Sequence, residues 1–377
     1  MPVSVVIVGG GLMGLSAAWQ LRRADPGVRV VLLERANVGV AASGASAAGV
    51  RVMGRDPAER ALALVSLERW SELDRELEGL TGYRRGGGLR VALDESSWRQ
   101  VPAWVDEQRA NGVPLEVLDP VEARRLAPAV AASCLGGVYC AIDGQAEAGP
   151  TVLAFANRAR RTGVRLEERV GAEQVIVERG RVVAVARTDG RREACDVAII
   201  AAGTWSPHLL APHGFRLPVT TRALQMLLTE PAPGALAPVL GAFDRKLSFK
   251  QLSGGAYLIG GGWPAAIPDE AGNRWEIIDA SVQSSLAVAG EVYPPVADAK
   301  LARAWAGLEA FTPDDLPVLG PVPGLDGVLV AAGFSGHGFA LAPAVGDLLA
   351  RLAIGRDARE DLWRGLRFDR FATKEAA

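Results

Sequence analysis

Gly9, Gly11 and Gly14 stand in the spacing GxGxxG, with Leu12 and Met13 between the last two. This spacing suits chemistry on a bound dinucleotide. The first glycine permits a tight turn, the second lets a pyrophosphate approach the backbone, and the third lets a helix pack close to a strand. A helix opening there directs its N-terminal N–H groups and the positive end of its dipole at the phosphates. Glu34, twenty residues past Gly14, is placed to accept hydrogen bonds from ribose hydroxyls. The motif alone does not choose between FAD and NAD. The stretch Gly39–Gly49, which includes Ala42, Ser43, Gly44, Ser46 and Ala48, is nearly all small residues. It reads either as a bed for a long cofactor, with Ser43 or Ser46 bonding to it, or as a mobile loop.

The elements around these residues supply the context the motif needs. Val3–Val8 is a β-branched run that reads as a buried parallel strand. Leu12–Arg23 has helical spacing, and Val28–Leu33 is a second apolar run, so the unit is β-α-β. Further on, Ala58–Leu80, Trp98–Ala110, Val152–Arg161 and Asn273–Ala289 have helical patterns. Strands are expected at 164–168, 174–178, 182–187, 196–201 and 328–332, with an apolar helix over Phe339–Leu352. Leu217–Glu230 and Leu247–Ile259 alternate weakly, as in an antiparallel sheet. Dinucleotide-type signals thus fall at the start, near residue 200 and at the end. One domain is therefore expected from 1–83, 145–212 and 318–377, with a second lobe from 84–144 and 213–317 inserted into it.

Composition narrows the function. A net charge of −2 on 377 residues offers no positive surplus to drive nucleic-acid binding. The three cysteines, Cys134, Cys140 and Cys195, show neither CxxC spacing nor a nearby His, so no metal site or disulfide framework is expected. The N-terminal apolar run stops at the glycines with no basic segment before it. Neither a signal peptide nor a membrane span is expected, and a reducing cytoplasm fits.

Several motifs together resemble the D-amino-acid oxidase-like flavoproteins, within the branch of glycine oxidase, sarcosine oxidase and hydroxyproline or opine dehydrogenase. They are the N-terminal fingerprint, Ala42-Ser43-Gly44, Ala201-Ala202-Gly203-Thr204-Trp205-Ser206, Trp305-Ala306-Gly307 with Thr312-Pro313-Asp314, Leu316–Gly320, and Ala332–Phe339. The resemblance spans nearly the whole chain. It implies an α/β fold, a Rossmann-like FAD-binding domain with an inserted antiparallel-sheet substrate domain. It also implies FAD as cofactor, a small amine or amino-acid substrate, and hydride transfer from the carbon next to nitrogen to flavin N5. Arg35, Val170, Ala202, Gly203, Trp205 and Gly307 join the expected cofactor contacts. Gly333, Ser335, Gly336, His337, Gly338 and Phe339 form a strand-to-helix turn whose N–H groups and dipole can hold negative charge on a flavin ring.

Four residues are candidates for the reaction itself. Arg51 directly follows the small-residue stretch, and its guanidinium fork matches a carboxylate. His337 could add a donor or pack on the flavin. Glu309 stands where glycine oxidase-like members carry a carboxylate-binding Arg; it would recognise a cationic or hydroxyl group, or be structural. Ala340 stands where monomeric sarcosine oxidases place a Lys, and Gly307 near their flavin-linking Cys, so the FAD is expected to be non-covalent. Their oxygen-activating Lys falls near Leu258; Lys250 would substitute for it or be a solvated strand lysine. Oxygen or another electron acceptor, and a homo-oligomer or partner subunits, stay open at this point.

Overall fold

A computed structural model describes residues 3–371. Its central sheet has six strands in the order 318–321, 328–332, 197–200, 4–8, 29–34 and 165–168. All neighbours are parallel except the first pair. Side chains alternate strictly along the inner strands. Val5, Ile7, Val30 and Leu32 meet the helices Leu12–Ala24, Ala148–Arg161 and Gly338–Ala353 on one face. Val6, Val8, Val31 and Leu33 meet Val175, Val182 and Leu209 on the other, where a small sheet of 172–178, 181–187 and 192–194 lies. Both faces are covered, which is why these strands read as unbroken apolar runs.

The second lobe is a sheet of ten strands. Its longest pairing joins Thr220–Pro231 to Leu301–Phe311, antiparallel, from Thr220 opposite Phe311 to Thr229 opposite Leu301. Leu227, Phe249, Tyr257 and Ile259 pack on Val282, Ala289 and Val292 of the helix Asp279–Val292. A short two-stranded crossing at the edge of the first lobe sets Gly49 and Val50 opposite Gln145 and Gly144.

Two expectations are corrected. Asn273–Ala289 is not one helix. Asn273 has a positive φ of 55°, Arg274–Glu276 is a strand, and the helix starts only at Asp279. Bulky Trp275, Ile277 and Ile278 suit an extended edge better than a helix turn. Ala58–Leu80 is broken as well: one helix spans Pro57–Trp70 with Asp56 Oδ1 capping Ala58 N–H at 2.8 Å, and a second spans Leu73–Leu77. Leu247–Ile259 forms antiparallel sheet as expected, a hairpin of Ser248–Gln251 and Ala256–Gly260.

The first and last long helices pack so closely that Gly346 has no room for a methyl group. A Cβ there would lie 2.5 Å from Ser16 Cβ and 2.7 Å from the Ser16 carbonyl carbon. Glycine-to-alanine changes in open helices stabilise by about 1 kcal/mol. Gly346→Ala should instead destabilise by about 1–3 kcal/mol, the scale of overpacking. A urea midpoint equal to or above that of the unaltered protein would contradict this packing.

Candidate functional site

The first strand ends at Val8, and Gly9 takes a φ of 111°. A Cβ on Gly9 would lie 2.7 Å from the carbonyl carbon of Ala201, at the end of the neighbouring strand. Gly14 is as constrained, since a Cβ there would run into the Gly9 carbonyl. The first helix therefore starts hard against the strand ends, with no capping side chain from Gly11; Ser43 Oγ accepts from Leu12 N–H at 3.0 Å instead. Glu34 Oε2 accepts from Gly10 N–H at 2.7 Å and its Oε1 from Ala36 N–H at 2.8 Å. The carboxylate is thus fixed at the rim of the turn, with further lone pairs to offer.

A cleft of about 880 Å³ runs over this turn. One end is walled by Glu34, Arg35, Gly171 and Thr188, and the other by Ser46, Glu309, Gly333 and Phe339. Glycines where a phosphate must approach, a helix start facing the cleft and a carboxylate at the second strand's end fit an extended dinucleotide. The cleft lies where the strand order reverses around the first strand, the place open α/β sheets bind ligands.

Behind the turn Ser335–Gly338 lies a second cluster, of charges. Arg55 Nη1 pairs with Glu59 Oε1 at 3.0 Å, and its Nη2 donates to the His337 carbonyl at 3.3 Å. Arg55 Nε donates to the Arg51 carbonyl at 3.1 Å, joining the small-residue stretch to the same turn. His337 Nδ1 faces Glu59 Oε1 at 3.5 Å, and burial, reinforced by Arg55 and Arg51, pulls the imidazole down to about 3. Asp143 Oδ1 accepts from the Val52 N–H at 2.7 Å, while its Oδ2 has no partner among the described residues. Burial pushes this carboxyl up to about 6, against the Val52 N–H and Arg51. Arg51 lies among Asp143, Arg55 and Arg90, and burial lowers its pKa. Its guanidinium makes no hydrogen bond or ion pair with another side chain among the described residues.

The expected site residues divide clearly. Gly9, Gly11, Leu12, Met13, Glu34, Arg35, Ala42 and Ser43 line the cleft. So do Ala202, Gly203, Trp205, Glu309, Gly333, Ser335, Gly336, Gly338 and Phe339. Glu309 lies beside Gly336, and burial pushes its carboxyl up to about 7. Other residues stand behind the wall. Gly14 and Gly44 serve close packing, and Ala48 and Gly49 enter the two-stranded crossing. Val170 donates its N–H to the Glu34 carbonyl, so the wall beside it is Gly171–Glu173. Gly307 faces away, since a Cβ there would lie 2.6 Å from Ala45 Cβ. Arg51 and His337 sit behind the Gly336 turn.

Lys250 is a correction. It is only 3% exposed, not solvated, because Ser248–Gln251 is an inner strand, and its Nζ donates to the Ala146 carbonyl at 2.6 Å. Burial lowers it to about 7 against the pull of Glu147. Ala146 in turn donates to the Ala48 carbonyl at 2.9 Å, so Lys250 braces the crossing that carries Arg51. Leu258, one strand over, is buried too.

Sequence reasoning missed Arg55, Glu59, Arg90, Asp143 and the cleft wall at Ala271–Asn273. Arg55, just before the Asp56 cap, and Glu59, in the helix's first turn, stand four apart. Asp143 and Ala271–Asn273 reach the site only through tertiary contacts.

A profile of the family described as "FAD dependent oxidoreductase" matches residues 4–352. The chain is 32% identical to a glycine oxidase of Pseudomonas aeruginosa over 95% of this chain and 96% of that protein. It is 25% identical to a sarcosine oxidase subunit beta of Rhodobacter capsulatus, covering 92% of this chain and 84% of that protein. Among solved structures, glycine oxidase from Geobacillus kaustophilus superposes with a TM-score of 0.85 at 26% identity, covering 94% of this chain and 96% of that one.

Two outcomes follow from this cleft. Acid precipitation of the purified protein should leave its yellow colour in the supernatant; colour retained in the pellet would reveal a covalent link. Glu34→Ala should weaken FAD binding by about 1–3 kcal/mol, the scale for losing a charged hydrogen-bond partner. An unchanged dissociation constant in a fluorescence titration would remove Glu34 from the cofactor's contacts.

Proposed function

The chain belongs to the family of FAD-dependent oxidoreductases, and on that premise we propose that it oxidises the C–N bond of a small amino acid or secondary amine. The observation that carries this reading is the Arg51 guanidinium, charged at all working pH values and held among Arg55, Arg90 and Asp143 with no hydrogen-bonded side-chain partner among the described residues. A site with this imbalance suits a ligand that brings its own carboxylate. Bound FAD supplies the acceptor for a hydride and its electron pair.

Every other part of the work falls to the chain. Arg51 pairs with the substrate carboxylate, and the Ser335–Gly338 turn, anchored through Arg55, fixes the distance between that carboxylate and the cleft. Glu309, on the cleft wall, takes the ammonium proton so that the nitrogen lone pair is free when the adjacent C–H bond breaks. The imine left behind hydrolyses to a carbonyl compound and an amine or ammonia. Orientation carries the catalysis, because holding a C–H bond against its acceptor removes most of the entropic barrier. The resemblance to a protein named as a subunit supports a second reading, a catalytic flavin subunit of a hetero-oligomer.

Arg51→Ala should lower kcat/KM for the amino acid about thirty- to thousand-fold, equivalent to about 2–4 kcal/mol of a charge-assisted pair. The loss should be far smaller for an analogue with methyl in place of the carboxylate. Equal losses on both compounds, at full FAD content, would move Arg51 to a structural role.

Glu309 sets a pH dependence of known sign. Between the ordinary carboxylate range and about 7 the folded chain keeps a proton that the unfolded chain has released. Its contribution to stability therefore falls as pH rises through that window. Activity should move the other way, rising with pH through about 7 as the carboxylate becomes able to accept a proton. In Glu309→Gln this limb should vanish from the kcat/KM profile; an unaltered limb would assign it to another group.

A further inference from the structure

Pro264–Asp269 and Arg274–Glu276 belong to the second lobe, yet the tip of the turn between them crosses to the dinucleotide side of the cleft. Ala271, Gly272 and Asn273 line the same cavity as Glu34 and Arg35. The tip is tied down from the first lobe. Arg35 Nη1 donates to the Ala271 carbonyl at 2.8 Å, while its guanidinium carbon lies 3.6 Å over the Trp205 ring. Trp205 Nε1 donates to the Glu270 carbonyl at 3.2 Å. Glu270 Oε1 accepts from Thr221 Oγ1 at 2.6 Å and from Thr204 Oγ1 at 3.5 Å. Inside the turn, Asp269 Oδ1 accepts from the Gly272 N–H at 2.9 Å. One group is left over: Asn273 Oδ1 is buried and has no donor among the described residues.

The orientation of the cofactor follows from the first β-α-β unit. Glu34 serves the ribose of the adenosine half and the glycine turn serves the pyrophosphate, so the flavin half extends toward Ser43 and Glu309. Beyond the ribose, between Arg35 and the turn tip, comes the adenine. Adenine offers a flat face, which suits a guanidinium plane, and an exocyclic amino group, the donor that Asn273 Oδ1 lacks. A buried acceptor left unmatched costs free energy, so a ligand that supplies the donor is favoured.

We infer that the turn Asp269–Asn273 is a clasp on the adenine of FAD, with the Asn273 carboxamide accepting from the adenine amino group and Glu270 latching the clasp to Thr204 and Thr221. The second lobe then holds the cofactor's adenosine half as well as the substrate, and FAD leaves when the clasp lifts. This rests on FAD being the cofactor.

The test uses the holoprotein and two variants. Asn273→Gly removes the acceptor while keeping the positive φ that glycine tolerates; Glu270→Ala removes the latch. FAD release, followed as the rise of flavin fluorescence after dilution, should be about tenfold faster in each, and affinity for FMN, which lacks the adenosine, should not change. Release rates equal to wild type in both variants would overturn the clasp while leaving the cofactor in place. Parallel losses for FMN and FAD would also overturn it. A wild-type chain that holds no FAD would overturn both the clasp and the cofactor reading.

Discussion

Two strand ends, at Gly9 and at Ala201, approach each other more closely than any side chain allows. That contact opens the crevice on which the rest of the structure depends. It lets the first helix begin directly at the strand ends, so its N–H groups face the cleft rather than a loop. It also sets the place of Glu34, whose carboxylate reaches back to the Gly10 N–H, and of Ser43, which covers the helix start. A Cβ at Gly9 would push the neighbouring strand away and open the turn. The ten-stranded sheet reaches this crevice from outside, through the turn at Asp269–Asn273.

Charge is distributed unevenly along the cleft. At the glycine turn, helix dipole and backbone donors suit phosphates without any basic side chain. Behind the Ser335–Gly338 turn, Arg51 and Arg55 face Asp143, Arg90 lies near Arg51, and Glu59 is fully buried against Arg55. Burying so many charges is costly unless each has a partner. Arg55 and Glu59 satisfy each other and hold the turn through the His337 carbonyl. Arg51 is the exception, and it is fixed in place by its own backbone: the crossing strands before it, the Arg55 contact to its carbonyl and the Asp143 contact just after it. A cation with no hydrogen-bonded side-chain partner among the described residues is an arrangement that makes sense once a small anion completes it.

How much of this was legible in the sequence depended on how local the interaction is. The glycine turn, the strand before it, the helix after it and Glu34 are set within one β-α-β unit, and the structure has them as a strand at Ser4–Val8, a helix at Leu12–Ala24 and a strand ending at Glu34. The burial of Lys250 was not legible, because alternation along Ser248–Gln251 cannot reveal that both faces are covered, on the Phe249 side by the helix Asp279–Val292 and on the Lys250 side by the chain at Ala146. Leu301–Phe311 went unread as a strand, since its first half carries exposed Ala302 and Arg303 and no clean alternation. The cation cluster drew on residues as far apart as Arg51, Asp143 and His337, and only the fold brings them together. The Gly307 position shows the opposite error: the family motif is present, but the residue points at Ala45 rather than into the cleft.

The central claim is that a carboxylate-bearing amine delivers a hydride in this cleft. The direct test is anaerobic mixing of the yellow holoprotein with glycine, sarcosine, L-proline and a set of D- and L-amino acids, following flavin absorbance. At least one of these should bleach the protein within the mixing experiment and yield its imine-derived carbonyl product in an amount equal to the flavin reduced. Holoprotein that stays fully yellow with every amine and amino acid at high concentration, yet is reduced by dithionite, would contradict the account.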